Sequence, residues 1–288
     1  MRYHSPASFE DAAGIAASTT GITRFLAGGT DVLVQLRSDL VEPDDLIDIK
    51  KIPGVKDITQ RADGGWDLGV AVAGAEMTET PALMADWPGL VEGMDLIGST
   101  QVQGRATLVG NLCNASPAGD GVPAMITAGV TLSVTGPEGT RVLAVEDVPT
   151  GPGKTTLAKG EVVSGVHIPA RGENGGDAYL RFIPRTEMDI AVVGCAVNLR
   201  LDGDTVVEAR VALGAVAPTA RLVPAAAEAI IGTTLDDAAL EALAAAASAA
   251  CQPIDDKRGT IEFRTDVAGV LAKRAAKIAY GRAKGDAA

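Results

Sequence analysis

The chain has 288 residues, 47% of them hydrophobic, enough for a sizeable core and two domains and too apolar for a disordered segment. A formal net charge of −12 argues against nucleic acid as a partner, since such a surface repels phosphate backbones. Three dispersed cysteines and two histidines show no metal-ligand spacing, the apolar stretches break before membrane-spanning length, and an odd cysteine count fits a reducing cytoplasm.

Residues 8–18 read as an amphipathic helix capped by Ser8, with Phe9, Ala12, Ala13 and Ile15 on one side. A strand over 22–26 leads into a turn at Ala27-Gly28-Gly29-Thr30-Asp31, a helical segment over 32–37 and a strand over 45–49. These form a small α/β lobe over about residues 1–54. The pattern then gives a strand over 66–73 and helices over 78–85 and 90–97. A polar, glycine-rich segment over 104–121 lacks periodicity and reads as a loop. Strands over 130–135, 141–145 and 162–168 follow. Residues 170–177 are the best linker in the chain. Three strands come next, over 178–184, 190–201 and 205–216, the last two joined at Asp202-Gly203-Asp204, a strong hairpin signal. Helices over 224–231, 236–250 and 263–282 close the chain, and strands followed by helices indicate an α+β class.

Two stretches carry chemistry. The Gly28-Gly29 turn lies between a strand and a helix, where successive N–H groups can form an anion nest, although such a pair is more often a plain tight turn. The segment Gly104-Arg105-Ala106-Thr107-Leu108-Val109-Gly110-Asn111, continuing through Asn114, Ser116 and Asp120, concentrates small polar groups and favours a ligand over a self-satisfied surface loop. Gly151-Pro152-Gly153-Lys154-Thr155-Thr156 imitates a phosphate loop, but Val148 stands where that motif needs glycine and Pro152 lacks an N–H. Arg181, Arg185, Glu187 and Asp189 read as a solvated charged edge. Cys113 and Cys195 read as buried small hydrophobes, and His167 as a strand surface residue.

Taken in order, Leu26-Ala27-Gly28-Gly29-Thr30-Asp31, residues 101–111, 116–120, 150–157 with Gly160 and Glu161, and 258–264 resemble the flavoprotein (medium) subunit of the molybdenum hydroxylases, the xanthine dehydrogenase and carbon monoxide dehydrogenase family. The resemblance implies a two-part FAD-binding region of the vanillyl-alcohol-oxidase/peroxidase-reductase type over residues 1–172. A smaller α+β domain would follow over 177–285, with a three-stranded antiparallel sheet and a helical bundle. It implies non-covalent FAD. Ala27, Gly28, Gly29, Thr30, Asp31 and Val32 would hold the pyrophosphate from one side, and Thr107, Gly110, Asn111 and Asn114 from the other. Asp120 would accept from cofactor hydroxyls, Ile97 and Val163 would meet the flavin ring, Arg181 would stand near the cofactor, and residues 185–189 would form a mobile charged loop beside the ring. The family's paired glycines before Asn111 are reduced to one, Val109 replacing the first, and Gln103-Gly104 replaces its Arg-Asn.

The implied role is electron transfer, with no catalytic acid, base or metal ligand in this chain. A [2Fe-2S] subunit would supply electrons drawn from a molybdopterin subunit, within a dimer of heterotrimers, and NAD⁺, quinone or oxygen would accept them. Two alternatives are an autonomous FAD-dependent oxidoreductase and a non-catalytic scaffold that has lost FAD.

Overall fold

A computed structural model describes residues 1–186 and 188–286. It opens with a strand too short for its sequence to announce, β1 (Arg2–His4). α1 (Phe9–Ser18) follows, and the Ser8 hydroxyl caps it by accepting the Asp11 N–H at 3.1 Å. β2 (Thr23–Leu26), α2 (Val32–Arg37) and β3 (Asp45–Asp48) complete a parallel sheet in the order β1–β3–β2. The central β3 is buried throughout, so its enclosed Asp45 carboxylate needs compensation. It accepts two bonds from the Arg2 guanidinium at 2.7 Å and one from Thr19 Oγ1 at 2.6 Å, and it meets His4 Nε2 at 2.7 Å. The Arg2 pairing holds the Asp45 carboxyl well below the usual carboxylate range. His4, uninformative as a sequence position, thus helps tie the first strand to its lobe.

Next come β4 (Ile58–Gln60) and β5 (Trp66–Leu68), then six short helices: α3 (Gly74–Thr78), α4 (Pro81–Asp86), α5 (Pro88–Asp95), α6 (Thr100–Gln103), α7 (Leu108–Cys113) and α8 (Gly121–Ala128). β6 (Thr131–Gly136), β7 (Gly139–Ala144), the small hairpin of β8 (Pro149–Gly151) and β9 (Lys154–Thr155), and β10 (Val162–Ile168) follow. The larger strands assemble as β4–β5–β10–β6–β7, antiparallel throughout. Three expectations change here. The strand expected over 66–73 ends at Leu68, and a turn closed by Val72 N–H to the Gly69 carbonyl buries the remaining apolar residues without a ladder. The helix expected over 78–85 is two helices, because Pro81 starts a new one at its first position. The expected loop over 104–121 contains α7, a helix of six residues, too short to display a period.

After residue 168 the chain forms β11 (Gly175–Phe182), β12 (Val193–Asp202), β13 (Thr205–Gly214), β14 (Arg221–Leu222), α9 (Pro224–Glu228), α10 (Asp237–Ala249) and α11 (Ile261–Ala283). The sheet has four strands, not three, because Arg221 and Leu222 pair with β13. The helices are not a separate bundle. They pack against one face of this sheet, where Cys195, Val197 and Leu199 meet Ala268, Ala272 and Ala275. The opposite face meets the first half of the chain: Asn198 Nδ2 donates to the Thr127 carbonyl at 3.1 Å and Arg210 to the Ile126 carbonyl at 2.9 Å. Strand alternation therefore serves two buried faces at once.

The linker expected over 170–177 is shorter, since β11 begins at Gly175 and Asp177 is buried. Asp177 pairs with Arg171, whose guanidinium lies 4.8 Å from the centre of the Trp87 ring, and accepts the Leu90 N–H at 3.1 Å. Arg282 pairs with Glu92, which also accepts the Tyr179 N–H at 3.2 Å. α5 is thereby bound to β11 and α11. No helix among the described residues is long and apolar enough to cross a membrane.

Candidate functional site

The parallel lobe, α7 and the approach to β10 enclose a cleft of about 630 Å³. Its first wall is the turn after β2: Ala27, Gly28, Gly29, Thr30, Asp31 and Val32 all line it. Its second wall holds Thr107, Gly110, Asn111 and Asn114, with Ile97 beside them. The third runs through Gly153, Thr155 and residues 157–163, and includes Val163. The tertiary structure thus gathers twelve of the expected contact residues around one opening.

Local chemistry explains the first two walls. None of the backbone N–H groups of residues 28–32 meets a backbone or side-chain acceptor among the described residues. Five adjacent free donors at the start of α2 form a nest suited to an anion such as a diphosphate. Gly28 permits the walls to meet, since a Cβ there would overlap the Arg105 carbonyl, and Arg105 Nε donates back to the Gly28 carbonyl at 3.1 Å. Across the cleft, Thr107 caps α7 by accepting the Gly110 N–H at 2.9 Å, and Asn111 Oδ1 accepts the Gly121 N–H at 3.1 Å. The Thr107 hydroxyl proton and the Asn111 amide N–H groups remain available as donors. Val109 is 8% exposed and belongs to the hydrophobic core, but it also lines the cleft, so it joins the second wall to the core. Ile97 and Val163 supply an apolar boundary, completing the mix of apolar walls and few polar groups that small-molecule sites show.

Two expected contact residues lie outside the lining. Asp120 and Arg181 pair with each other at 2.7 Å, their side chains 8% and 7% exposed, and Tyr179 donates its hydroxyl to the other Asp120 oxygen at 2.7 Å. Burial pushes the Asp120 carboxyl up while Arg181 and Tyr179 oppose it, and burial beside Asp120 holds the Tyr179 phenol well above its usual value. The group therefore joins α8 to β11. In the charged stretch 185–189, Arg185 meets Asp189 at 3.0 Å and holds its carboxyl well below the usual range; Glu187 lies outside the described residues.

Sequence reasoning missed several lining residues. Arg24 and Lys159 line the cleft, as do Leu157, Gly160 and Glu161. The signal for the third wall was present in the stretch 150–157 with Gly160 and Glu161, whose phosphate-loop imitation is the β8–β9 hairpin. Cys113 is not simply a core residue: it lines the cleft, and burial pushes its thiol up to about 12. His167 does sit on a strand surface, between Ser133 Oγ and Asp67 Oδ1 at 2.7 Å each, the order of a hydrolase triad. None of the three lines the cleft described above, and their strands pair through ladder bonds on both sides of β10, so the trio reads as a hydrogen-bonded strand surface. No cluster of three or more His, Cys, Asp or Glu among the described residues is placed to hold a metal ion.

Comparison with known proteins agrees with this geometry. Residues 1–171 match the family model of the FAD binding domain in molybdopterin dehydrogenase, and residues 178–279 match the CO dehydrogenase flavoprotein C-terminal domain. The carbon monoxide dehydrogenase medium chain of Hydrogenophaga pseudoflava is 32% identical over 98% of each chain. The xanthine dehydrogenase FAD-binding subunit of Escherichia coli O157:H7 is 29% identical, covering 98% of this chain and 97% of that one. In solved structures, carbon monoxide dehydrogenase from H. pseudoflava lacking the Mo-pyranopterin moiety superposes with a TM-score of 0.93 at 32% identity over 98% of each chain. Quinoline 2-oxidoreductase from Pseudomonas putida 86 gives 0.89 at 27% identity, covering 99% of this chain and 98% of that one. The chain therefore belongs to the family of FAD-binding medium subunits of molybdenum hydroxylases, as an oxidoreductase component whose cofactor is FAD.

Proposed function

We propose that this subunit relays electrons from a [2Fe-2S] subunit, reduced by a molybdopterin subunit, to NAD⁺, quinone or oxygen, and that it does not itself oxidise the organic substrate. The observation that carries the reading is one cleft of about 630 Å³ that joins a row of unpaired backbone N–H groups at residues 28–32 to an apolar boundary at Ile97 and Val163. Bound FAD would supply one- and two-electron chemistry, while the protein sets its position and access. The N–H groups of residues 28–32 would hold the pyrophosphate. Thr107, Asn111 and Asn114 would donate from the opposite wall, with Gly110 letting the backbone approach. Ile97 and Val163 would exclude water from the ring. In this reading Asp120 and Arg181 act as a positioning pair that sets β11 against α8. A hydrophobic cluster built wholly from residues 178–283 supports a division into an FAD-binding region over 1–172 and a C-terminal domain over 177–285. The same reading places the subunit in the cytoplasm, in a dimer of heterotrimers with non-covalent FAD.

The test is a tagged purification followed by flavin spectroscopy. A yellow preparation should bring down two further subunits, and flavin bleaching by candidate reductants (carbon monoxide, xanthine, nicotinate) should require both. Bleaching of the isolated chain would establish an autonomous oxidoreductase instead. A colourless chain that FAD cannot reconstitute would establish a scaffold.

A further inference from the structure

In a chain of net charge −12, most arginines and lysines are spent on carboxylates. The cleft holds two of the remainder. Arg24 and Lys159 both line it, both are exposed, and neither has a carboxylate partner among the described residues. Arg24 sits on β2, four residues before Gly28, with Nη1 donating only to the Thr23 carbonyl at 3.1 Å. Lys159 is held out by a rigid turn. The Glu161 N–H donates to the Ala158 carbonyl at 3.0 Å, and Glu161 Oε2 accepts the Ala158 N–H at 2.7 Å. Gly160 closes this turn at φ +87°, pressed so close to Ala17 of α1 that no side chain fits.

The carboxylates of the lining are Asp31 and Glu161. Glu161 is neutralised by a two-point contact with Arg141 at 2.7 and 2.9 Å. Against Asp31 and the neighbouring Asp44, whose carboxylate crowds Gly21 of the lining, stand Arg24, Lys159 and the neighbouring Arg105, a net positive balance at the cleft of an acidic protein. Backbone donors carry only partial charge, and a pyrophosphate brings two full negative charges.

We propose that Arg24 and Lys159, outside the glycine turn and the Thr107 segment, form a cationic subsite for the pyrophosphate-bearing half of the cofactor. This rests on the FAD reading of the cleft and adds where its charge selectivity arises. The cleft would then bind FAD and ADP in a salt-dependent manner and bind uncharged riboflavin without help from either residue.

The experiment uses the full chain, stripped of flavin, with Arg24→Gln, Lys159→Gln and the double variant. Binding of FAD, ADP and riboflavin is followed by flavin fluorescence and calorimetry at low and high salt. Each single change should weaken FAD and ADP about fivefold at low salt, as a partly screened charge contact does, and the double variant should lose most of the salt dependence. Riboflavin affinity should not move, and circular dichroism should match the parent. A double variant with parental FAD affinity and parental salt dependence overturns the subsite and leaves the FAD reading standing. Equal loss for riboflavin also overturns it, because the residues would then be supporting the wall. Parent protein that binds no FAD at any salt overturns both.

Discussion

Replacing Asp120 with Asn tests how the two halves of the chain are held together. Both members of the Asp120–Arg181 pair are more than nine-tenths buried, and Asp120 Oδ1 also accepts from Tyr179. Asparagine keeps an oxygen for Tyr179 but leaves the Arg181 guanidinium buried without its counter-charge. Breaking a buried pair from one side costs about 3–5 kcal/mol. The retained Tyr179 bond argues for the lower end, about 3 kcal/mol, roughly a hundredfold in the folding constant. Removing both charges, as in Asp120→Asn with Arg181→Met, should recover much of this, because the desolvation cost disappears with the pair. Urea unfolding followed by Trp66 and Trp87 fluorescence reads the single variants and the double-mutant cycle. A single variant within about 0.5 kcal/mol of the parent, or a strictly additive cycle, would refute the claim that this pair joins α8 to β11.

Gly28→Ala should drive the two cleft walls apart, costing about 1–3 kcal/mol and most of the bound flavin. Gly110→Ala is the milder control, since its Cβ would meet only Thr107 Oγ1 at 3.0 Å; the flavin-to-protein absorbance ratio compares them. Val109→Gly should destabilise the chain by about 3 kcal/mol, from lost burial and an added helical glycine, while FAD affinity in a titration changes by less than about threefold. Asp45 supplies a pH dependence. Its carboxyl is lowered in the fold by Arg2, so its stabilisation is fully present above the ordinary carboxylate pKa, about 4, and is lost as pH falls towards the lowered value. Thermal unfolding between pH 6 and pH 2 should show Asp45→Asn losing stability at neutral pH and converging on the parent in acid.

Where local physics decides, the sequence was enough. Ser8 caps its helix as a side chain of that type does, and alternation together with Asp202-Gly203-Asp204 fixed the β12–β13 hairpin. The first two walls of the cleft were likewise visible, as glycines and small polar groups crowded where no period explained them. What sequence alone left undecided depends on partners far along the chain. β1 and β14 are too short to signal themselves and exist because β3 and β13 offer edges for them. Asp120 and Arg181 were each expected near the cofactor by resemblance, and only the fold sets the two, sixty-one residues apart, against each other. Arg24 and Lys159 carry no signal of their own in the sequence, and only the fold brings them to line one cleft. Hydrogen-bonding capacity and turn preference are properties of short segments, but the pairing and burial of a charge belong to the assembled structure, because only there does each group acquire its neighbours.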